Sequence, residues 1–228
     1  TTSAPYRTKV IKLMLLEAQN VTKTFGGLTA VNAVSLQVDA REIIGLIGPN
    51  GAGKTTFLNC LSGALKPTSG VVAFQGQIMT GVPAEVMCRK GMARTFQIPR
   101  PFPRMTVLEN VMVGAVFGAN HSSNKSAILR AKEALEFVHF PLDIHTQADH
   151  LNSLQLKRLD LARALACGPK LLLLDELASG LTPGELEGMI SLLQEIRDTT
   201  GVGMIVVEHI MKLITQICDR LVVLVYGS

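Results

Sequence analysis

Gly48-Pro49-Asn50-Gly51-Ala52-Gly53-Lys54-Thr55 fits the spacing G-x-x-x-x-G-K-[ST], a loop suited to holding phosphate. Its glycines let backbone N–H groups turn inward on phosphate oxygens, and a helix opening at Lys54 adds its positive end. The Lys54 ammonium reaches the outer phosphates, and the Thr55 hydroxyl is a ligand for Mg²⁺. Ordinary residue usage produces the pattern by accident in roughly one chain of this size in a hundred. The context narrows it further, because Glu42 to Ile47 reads as a buried strand and Lys54 to about Leu65 as a helix. Binding of a nucleotide such as ATP, with Thr56 completing the contacts, is expected over an ordinary glycine-rich turn.

A second group follows far downstream. Leu171-Leu172-Leu173-Leu174 ends in Asp175-Glu176, which describes a central strand delivering two carboxylates to its exposed end. Next to a phosphate loop, the first acid holds the Mg²⁺ shell and the second accepts a proton from attacking water. The plainer alternative for Glu176 is a solvated acid at a strand end.

These residues need a scaffold to bring them together. Residues 13–21 and 31–38 read as strands around the turn Phe25-Gly26-Gly27, with Val34, Leu36 and Val38 alternating against Ser35 and Gln37. Val71 to Phe74 is a further short strand. Gln97 to Met105 is irregular, with three prolines, and Thr106 then opens a helix with Glu109 at capping-box spacing. His121 to Ser126 reads as a polar loop, and Ile128 to Phe137 and Leu154 to Ala166 as helices. Pro183 to Thr199 and His209 to Ile217 read as helices, and Met204 to Val207 and Leu221 to Tyr226 as strands. Strand and helix alternating at both ends predict an α/β fold with a mostly parallel, doubly wound sheet. The helical section between about 98 and 168 reads as an inserted subdomain of a single 228-residue domain.

Composition excludes other classes. Hydrophobic residues make up 47% of the chain, ample for a core, so a disordered protein is excluded. No window approaches the ~18 to 20 uninterrupted apolar residues of a spanning helix. A net charge of +4 without like-charge blocks gives no nucleic-acid footprint. Cys60, Cys88, Cys167 and Cys218 form no Cys-x-x-Cys pair, which speaks against zinc and for a reducing compartment. The amino-terminal stretch is too short and too broken by Lys12 and Glu17 for a secretory signal. The mean hydropathy of +0.32 hints at apolar surface facing partners.

Four further segments narrow the class: Phe96-Gln97, Leu151-Asn152-Ser153-Leu154-Gln155, Ala178 to Pro183, and Val207-Glu208-His209. Their order resembles the glutamine loop, signature motif, D-loop and switch histidine of ABC-type ATPases. FGGLTAVN, GLIGPNGAGKTTFLNCLSG, ARTFQ and VVEHIMKLI are similar to the ATPase subunits of branched-chain amino-acid importers. The resemblance runs from about residue 14 to the last residue. It implies a P-loop core with a small antiparallel amino-terminal β part. It implies that Phe25 stacks on adenine, although a core phenylalanine beside a turn is the plain alternative. It implies that Gln97 touches Mg²⁺ or the lytic water and that His209 holds the γ-phosphate. Asn152, Ser153 and Gln155 would contact the ATP of a second ATPase subunit. The remaining implied partners are two transmembrane permeases and an extracytoplasmic solute-binding protein, which places the chain at the cytoplasmic face of the inner membrane. Phe96 to Met105 offers either a groove for a permease helix or a stiff connector.

The chain departs from this pattern in places. Leu154 stands where the signature has a glycine whose bare backbone approaches phosphate, so a weakened signature and an asymmetric heterodimer are expected. Leu177 replaces a proline, and Thr182 an Asp or Asn. Relatives run on past Gly227-Ser228 into a hairpin and helices, so the resemblance implies a longer product. Lipid or lipopolysaccharide exporters share this layout and stay open as an alternative. A non-transport ABC ATPase would carry a coiled-coil insertion, a duplicated domain or a basic tract.

Overall fold

The computed structural model describes residues 14–119 and 124–228. The basic amino-terminal stretch and the start of the polar loop expected at His121 lie outside the described residues. β1 (Met14–Phe25) and β2 (Leu28–Asp39) form an antiparallel hairpin around Gly26-Gly27. Val34, Leu36 and Val38 are buried while Ser35 and Gln37 face out, so the period-2 pattern sets which face packs inward. β3 (Ile43–Ile47) leads into the glycine-rich loop and α1 (Lys54–Leu61). The chain then returns to the hairpin as β4 (Ser69–Phe74), antiparallel to β1, and the short β5 (Gln77–Ile78).

Beyond it lie α2 (Ala84–Arg89), β6 (Met92–Arg94), α3 (Val107–Phe117), α4 (Asn124–Phe137) and α5 (Ser153–Ala166). β7 (Leu171–Asp175), α6 (Pro183–Thr200), β8 (Gly203–Val207), α7 (Met211–Ile217) and β9 (Arg220–Val223) complete the described order. β6, β7, β8, β3 and β9 lie side by side in that order, every pairing parallel.

The continuous apolar runs are explained by two cores, one on each face of this sheet. Leu172, Leu174, Met204, Val206 and Ile43 join the core formed with α3 to α7. Leu171, Leu173, Ile205, Val207, Ile44 and Leu46 join the other, with Phe57 and Leu58 of α1 and the antiparallel sheet. Successive side chains along one strand therefore enter opposite cores. Gly45 is small for a reason: a Cβ there would lie 2.7 Å from the Leu221 side chain.

Several helix starts are fixed by local capping. Thr106 and Glu109 close a reciprocal capping box at α3, and Thr182 with Glu185 does the same at α6, where Pro183 opens the first turn. Thr182, unusual for its position, is thereby a working cap. α1 stops at Leu61 and not near Leu65, because Gly63 turns left-handed (φ 75°) against the Val82 carbonyl. α4 begins at Asn124, ahead of Ile128, and α7 begins at Met211, since Ile210 is extended. β9 is shorter than Leu221 to Tyr226, because Tyr226 and Gly227 both take positive φ (51° and 86°). The Gly227 carbonyl there accepts the Asn32 N–H at 2.6 Å, against β2. α2 and the edge strand β6 had no sequence signal, being too short for a period to register. Among the described residues, no helix is long and apolar enough to cross a membrane.

Candidate active site

The loop between β3 and α1 is shaped by two glycines that no other residue could replace without displacing backbone. Gly48 has φ 148°, and a Cβ there would sit 2.1 Å from the Leu224 carbonyl oxygen. Gly53 has φ 93°, and its Cβ would meet the Ala30 carbonyl oxygen at 2.2 Å. Gly51 also turns left-handed, at φ 80°, but faces open space, so conformation alone selects glycine. Gly53 is the N-cap of α1 and brings no side chain to the first-turn N–H groups. Those donors and the helix dipole make the loop electrostatically suited to an anion. Lys54 is buried, and its Nζ donates to the carbonyls of Gly48 at 2.7 Å and Pro49 at 3.0 Å, which holds the ammonium over the loop.

A cleft of about 200 Å³ opens there, lined by Ala30, residues 50–56 and Glu176. Glu176 follows β7, whose neighbour β8 separates it from β3, so sheet order carries the carboxylate to the phosphate loop. Its backbone is left-handed (φ 48°), a conformation costly for a non-glycine residue, and its N–H donates to the Val207 carbonyl at 2.8 Å. Its Oε2 accepts from Gln97 Nε2 at 2.6 Å. Gln97, Glu176 and the loop are thus brought together.

Asp175 is 2% exposed. Burial pushes its carboxyl up, and the Arg94 guanidinium, bonded to Oδ2 at 2.9 Å, opposes that shift. Asp175 Oδ1 is buried with no hydrogen-bond partner among the described residues. An orphaned carboxylate oxygen at the strand end, with the Thr55 hydroxyl in the cleft wall and the Gln97 amide bonded to Glu176, is an all-oxygen donor set that fits Mg²⁺.

Other expected residues stand apart from the cleft lining. His209 is exposed in the loop after β8, with its N–H bonded to Glu208 Oε2 at 3.3 Å. Phe25, 46% exposed at the hairpin end, has the Lys23 ammonium 5.1 Å above its ring. Asn152, Ser153 and Gln155 open α5. Asn152 Oδ1 accepts the Gln155 N–H at 3.0 Å, and Gln155 Oε1 accepts the Asn152 N–H at 2.9 Å, a closed capping box. Leu154 packs part-buried against the helical core.

Sequence reasoning passed over four residues: Arg94, Asn110, Lys157 and Glu208. Asn110 is fully buried and holds the proline-rich segment, its Nδ2 donating to the carbonyls of Phe102, Met105 and Thr106 and its Oδ1 accepting the Phe102 N–H. Phe96, Arg100 and Phe102 consequently line a groove of about 370 Å³ with Met92, Val113 and Phe117. Arg94 has no local signal of its own, since β6 is too short to register as a strand. Arg94→Met leaves the buried Asp175 carboxylate without its cation, so a loss of about 3 kcal/mol is expected. Thermal melting would show it as a drop of roughly 10 °C in Tm. A drop below about 2 °C would mean the pair is not a stabilising one.

A parallel sheet that sets a glycine-rich phosphate cradle beside paired strand-end acids defines a P-loop nucleotide hydrolase. Residues 31–179 match the ABC transporter family. The chain is 37% identical to the high-affinity branched-chain amino acid transport ATP-binding protein BraF of Pseudomonas aeruginosa, over 94% of this chain and 89% of the relative. It is 38% identical to LivG of Escherichia coli K12, of the same description, over the same shares. Among solved structures it resembles the ADP conformation of MJ1267, an ATP-binding cassette of an ABC transporter. That likeness has a TM-score of 0.83 at 29% identity, over 94% of this chain and 88% of the other. The dimeric bacterial cassette MJ0796 gives 0.84 at 26% identity, over 93% and 95%. The chain belongs to the ATP-binding subunits of ABC transporters, and its activity is ATP hydrolysis.

Proposed function

We propose that this subunit powers import of branched-chain amino acids or a closely related small solute, acting as one cassette with a helical subdomain at about 98–168. The observation that carries the coupling is the 2.6 Å bond between Gln97 and Glu176. Gln97 directly follows Phe96, which lines the 370 Å³ groove, so one residue step links the cleft to a surface suited to a short permease helix. The substrate class rests on the relatives' transport role over nearly the whole chain.

In this reading the backbone N–H groups of Gly48 and of Asn50 to Thr56, in a loop shaped by Pro49, and the Lys54 ammonium hold the ATP phosphates. Glu176 takes the proton of the attacking water, Gln97 orients that water, and His209 closes on the γ-phosphate once its loop is drawn in. Phe25 supplies a flat face for adenine. Thr55, Asp175 and Gln97 would hold Mg²⁺, which neutralises charge developing on the phosphates. Asn152, Ser153 and Gln155 serve the nucleotide of a second ATPase subunit, a heterodimer being favoured because Leu154 occupies the signature. Two permeases and an extracytoplasmic binding protein complete an assembly in which this chain is peripheral to the membrane.

The test is the ATPase rate of the assembled transporter in vesicles. Binding protein loaded with leucine, isoleucine or valine is expected to raise the rate about tenfold. Stimulation by another small solute would keep the coupling and overturn the amino-acid assignment. No stimulation by any would sink the importer reading.

A further inference from the structure

Residues 177–180, directly after Glu176, form turns and belong to no helix or strand, yet Leu177 and Ala178 are buried. Buried backbone outside a ladder needs other partners for its polar groups. Two buried side chains supply them. Lys157, 5% exposed on α5, donates from Nζ to the Leu177 carbonyl at 2.9 Å and also to the Ser179 carbonyl. Glu208, 1% exposed just after β8, accepts the Ala178 N–H through Oε1 at 2.6 Å.

The Leu177 carbonyl and the Ala178 N–H belong to one peptide unit. That unit is trans, so its C=O and N–H point in opposite directions. A cation therefore grips the oxygen end of the peptide dipole and an anion the hydrogen end. Either charge alone would be costly to bury. Burial pushes the Lys157 ammonium down, against the opposing pull of Glu208 and Glu176. Burial likewise pushes the Glu208 carboxyl up, against its bonds from the Ala178 and His209 N–H groups.

Glu176 lies between two anchors. Its own N–H is tied to Val207 at 2.8 Å, and the second peptide after its Cα is held by Lys157 and Glu208. Fixing both flanks is what sustains a left-handed glutamate, and it sets the direction of the carboxylate toward Gln97. We propose that Lys157 and Glu208 are positioning residues for Glu176, clamping the Leu177–Ala178 peptide so that the carboxylate is held over the phosphate loop. Because Lys157 rides on α5, the clamp also ties the start of that helix, residues 152–155, to the hydrolytic carboxylate. This inference rests on the reading of Glu176 as the base.

The test uses the assembled transporter, with steady-state kinetics and binding of a fluorescent ATP analogue. Misplacing a catalytic group by about 1 Å can cost on the order of 10²-fold in rate. Lys157→Met is expected to lower kcat by about 10- to 100-fold. Neither residue lines the phosphate cleft, so KM for ATP is expected to stay within about twofold. Lys157→Arg, which keeps a cation with several donors, is expected to recover most of the loss. Glu208→Gln keeps the volume and is expected to speed amide exchange in residues 176–181 by about tenfold, through local opening. The double variant is expected to be no worse than the poorer single one, since both act on one peptide.

Should Lys157→Met fail to fold, Glu208→Gln carries the test through kcat and hydrogen exchange. A kcat within twofold of the parent in both, or a KM rising in step with the fall in kcat, would overturn the clamp. An active parent that loses turnover in Glu176→Gln but not in Lys157→Met refutes the clamp alone. A parent indifferent to Glu176→Gln refutes the base assignment and the clamp with it.

Discussion

Glu176→Gln is expected to lower the hydrolytic rate constant by about 10²- to 10⁴-fold, the span attributed to a positioned proton acceptor. The amide keeps the shape of the carboxylate and can still accept the hydrogen bond from Gln97 Nε2, so the cleft wall stays intact. An amide cannot accept the proton of attacking water at neutral pH. Affinity for MgATP is therefore expected to remain within about threefold of the parent, splitting binding from turnover. Single-turnover hydrolysis in the assembled transporter, with a parallel nucleotide titration, measures both quantities. Turnover within tenfold of the parent would place the base elsewhere, and the exposed His209 would become the first candidate.

Lys54→Ala acts on the other half of the reaction. Lys54 is the cation in the cleft lining, and its ammonium is already fixed over the loop by the Gly48 and Pro49 carbonyls. Preorganisation of this kind lets a charge–phosphate contact count at nearly full strength, because little side-chain freedom is left to lose. A charged hydrogen bond is worth about 1.5 to 3 kcal/mol, which corresponds to roughly 10- to 100-fold weaker MgATP binding on truncation. Lys54→Arg is expected to rescue poorly, since a planar guanidinium cannot occupy the place of a compact ammonium held by two adjacent carbonyls. Isothermal titration with MgATP measures it. A Kd within threefold for Lys54→Ala would mean that the loop amides alone hold the nucleotide, and the role given to Lys54 would fall.

The phosphate loop was legible because everything it needs is contiguous. A strand, three left-handed glycines and a helix start lie within residues 43–61, and local backbone preference writes that unit into the residue order. The Thr106–Glu109 capping box was legible for the same reason, spanning four residues, whereas the one at Thr182 and Glu185 emerged only with the structure. The paired acids were legible as a strand end, but not their different fates. Asp175 is buried against Arg94, 81 positions earlier, while Glu176 turns left-handed toward Gln97, 79 positions earlier. Gln97 was picked out only by resemblance; nothing local marks it. Lys157 had no signal, and Glu208, although inside the quoted Val207-Glu208-His209 segment, had no role assigned, because a lysine in a helix and a glutamate after a strand look like ordinary surface charges. α2 and β6 were missed since six and three residues are too few to show a period.

By itself, then, the order of residues determined the chemistry on offer: a cradle for phosphate, acids to act on water, and apolar strands bound for the middle of a sheet. Those features follow from backbone freedom and side-chain period, which act over a few neighbouring positions. Tertiary structure decided which of these groups meet. The sheet runs β6-β7-β8-β3-β9, an arrangement unlike chain order, and only it sets Glu176 beside the phosphate loop and Arg94 beside Asp175. The same packing buries Lys157 and Glu208 around one peptide, where the loss of water makes their charges strong enough to hold it.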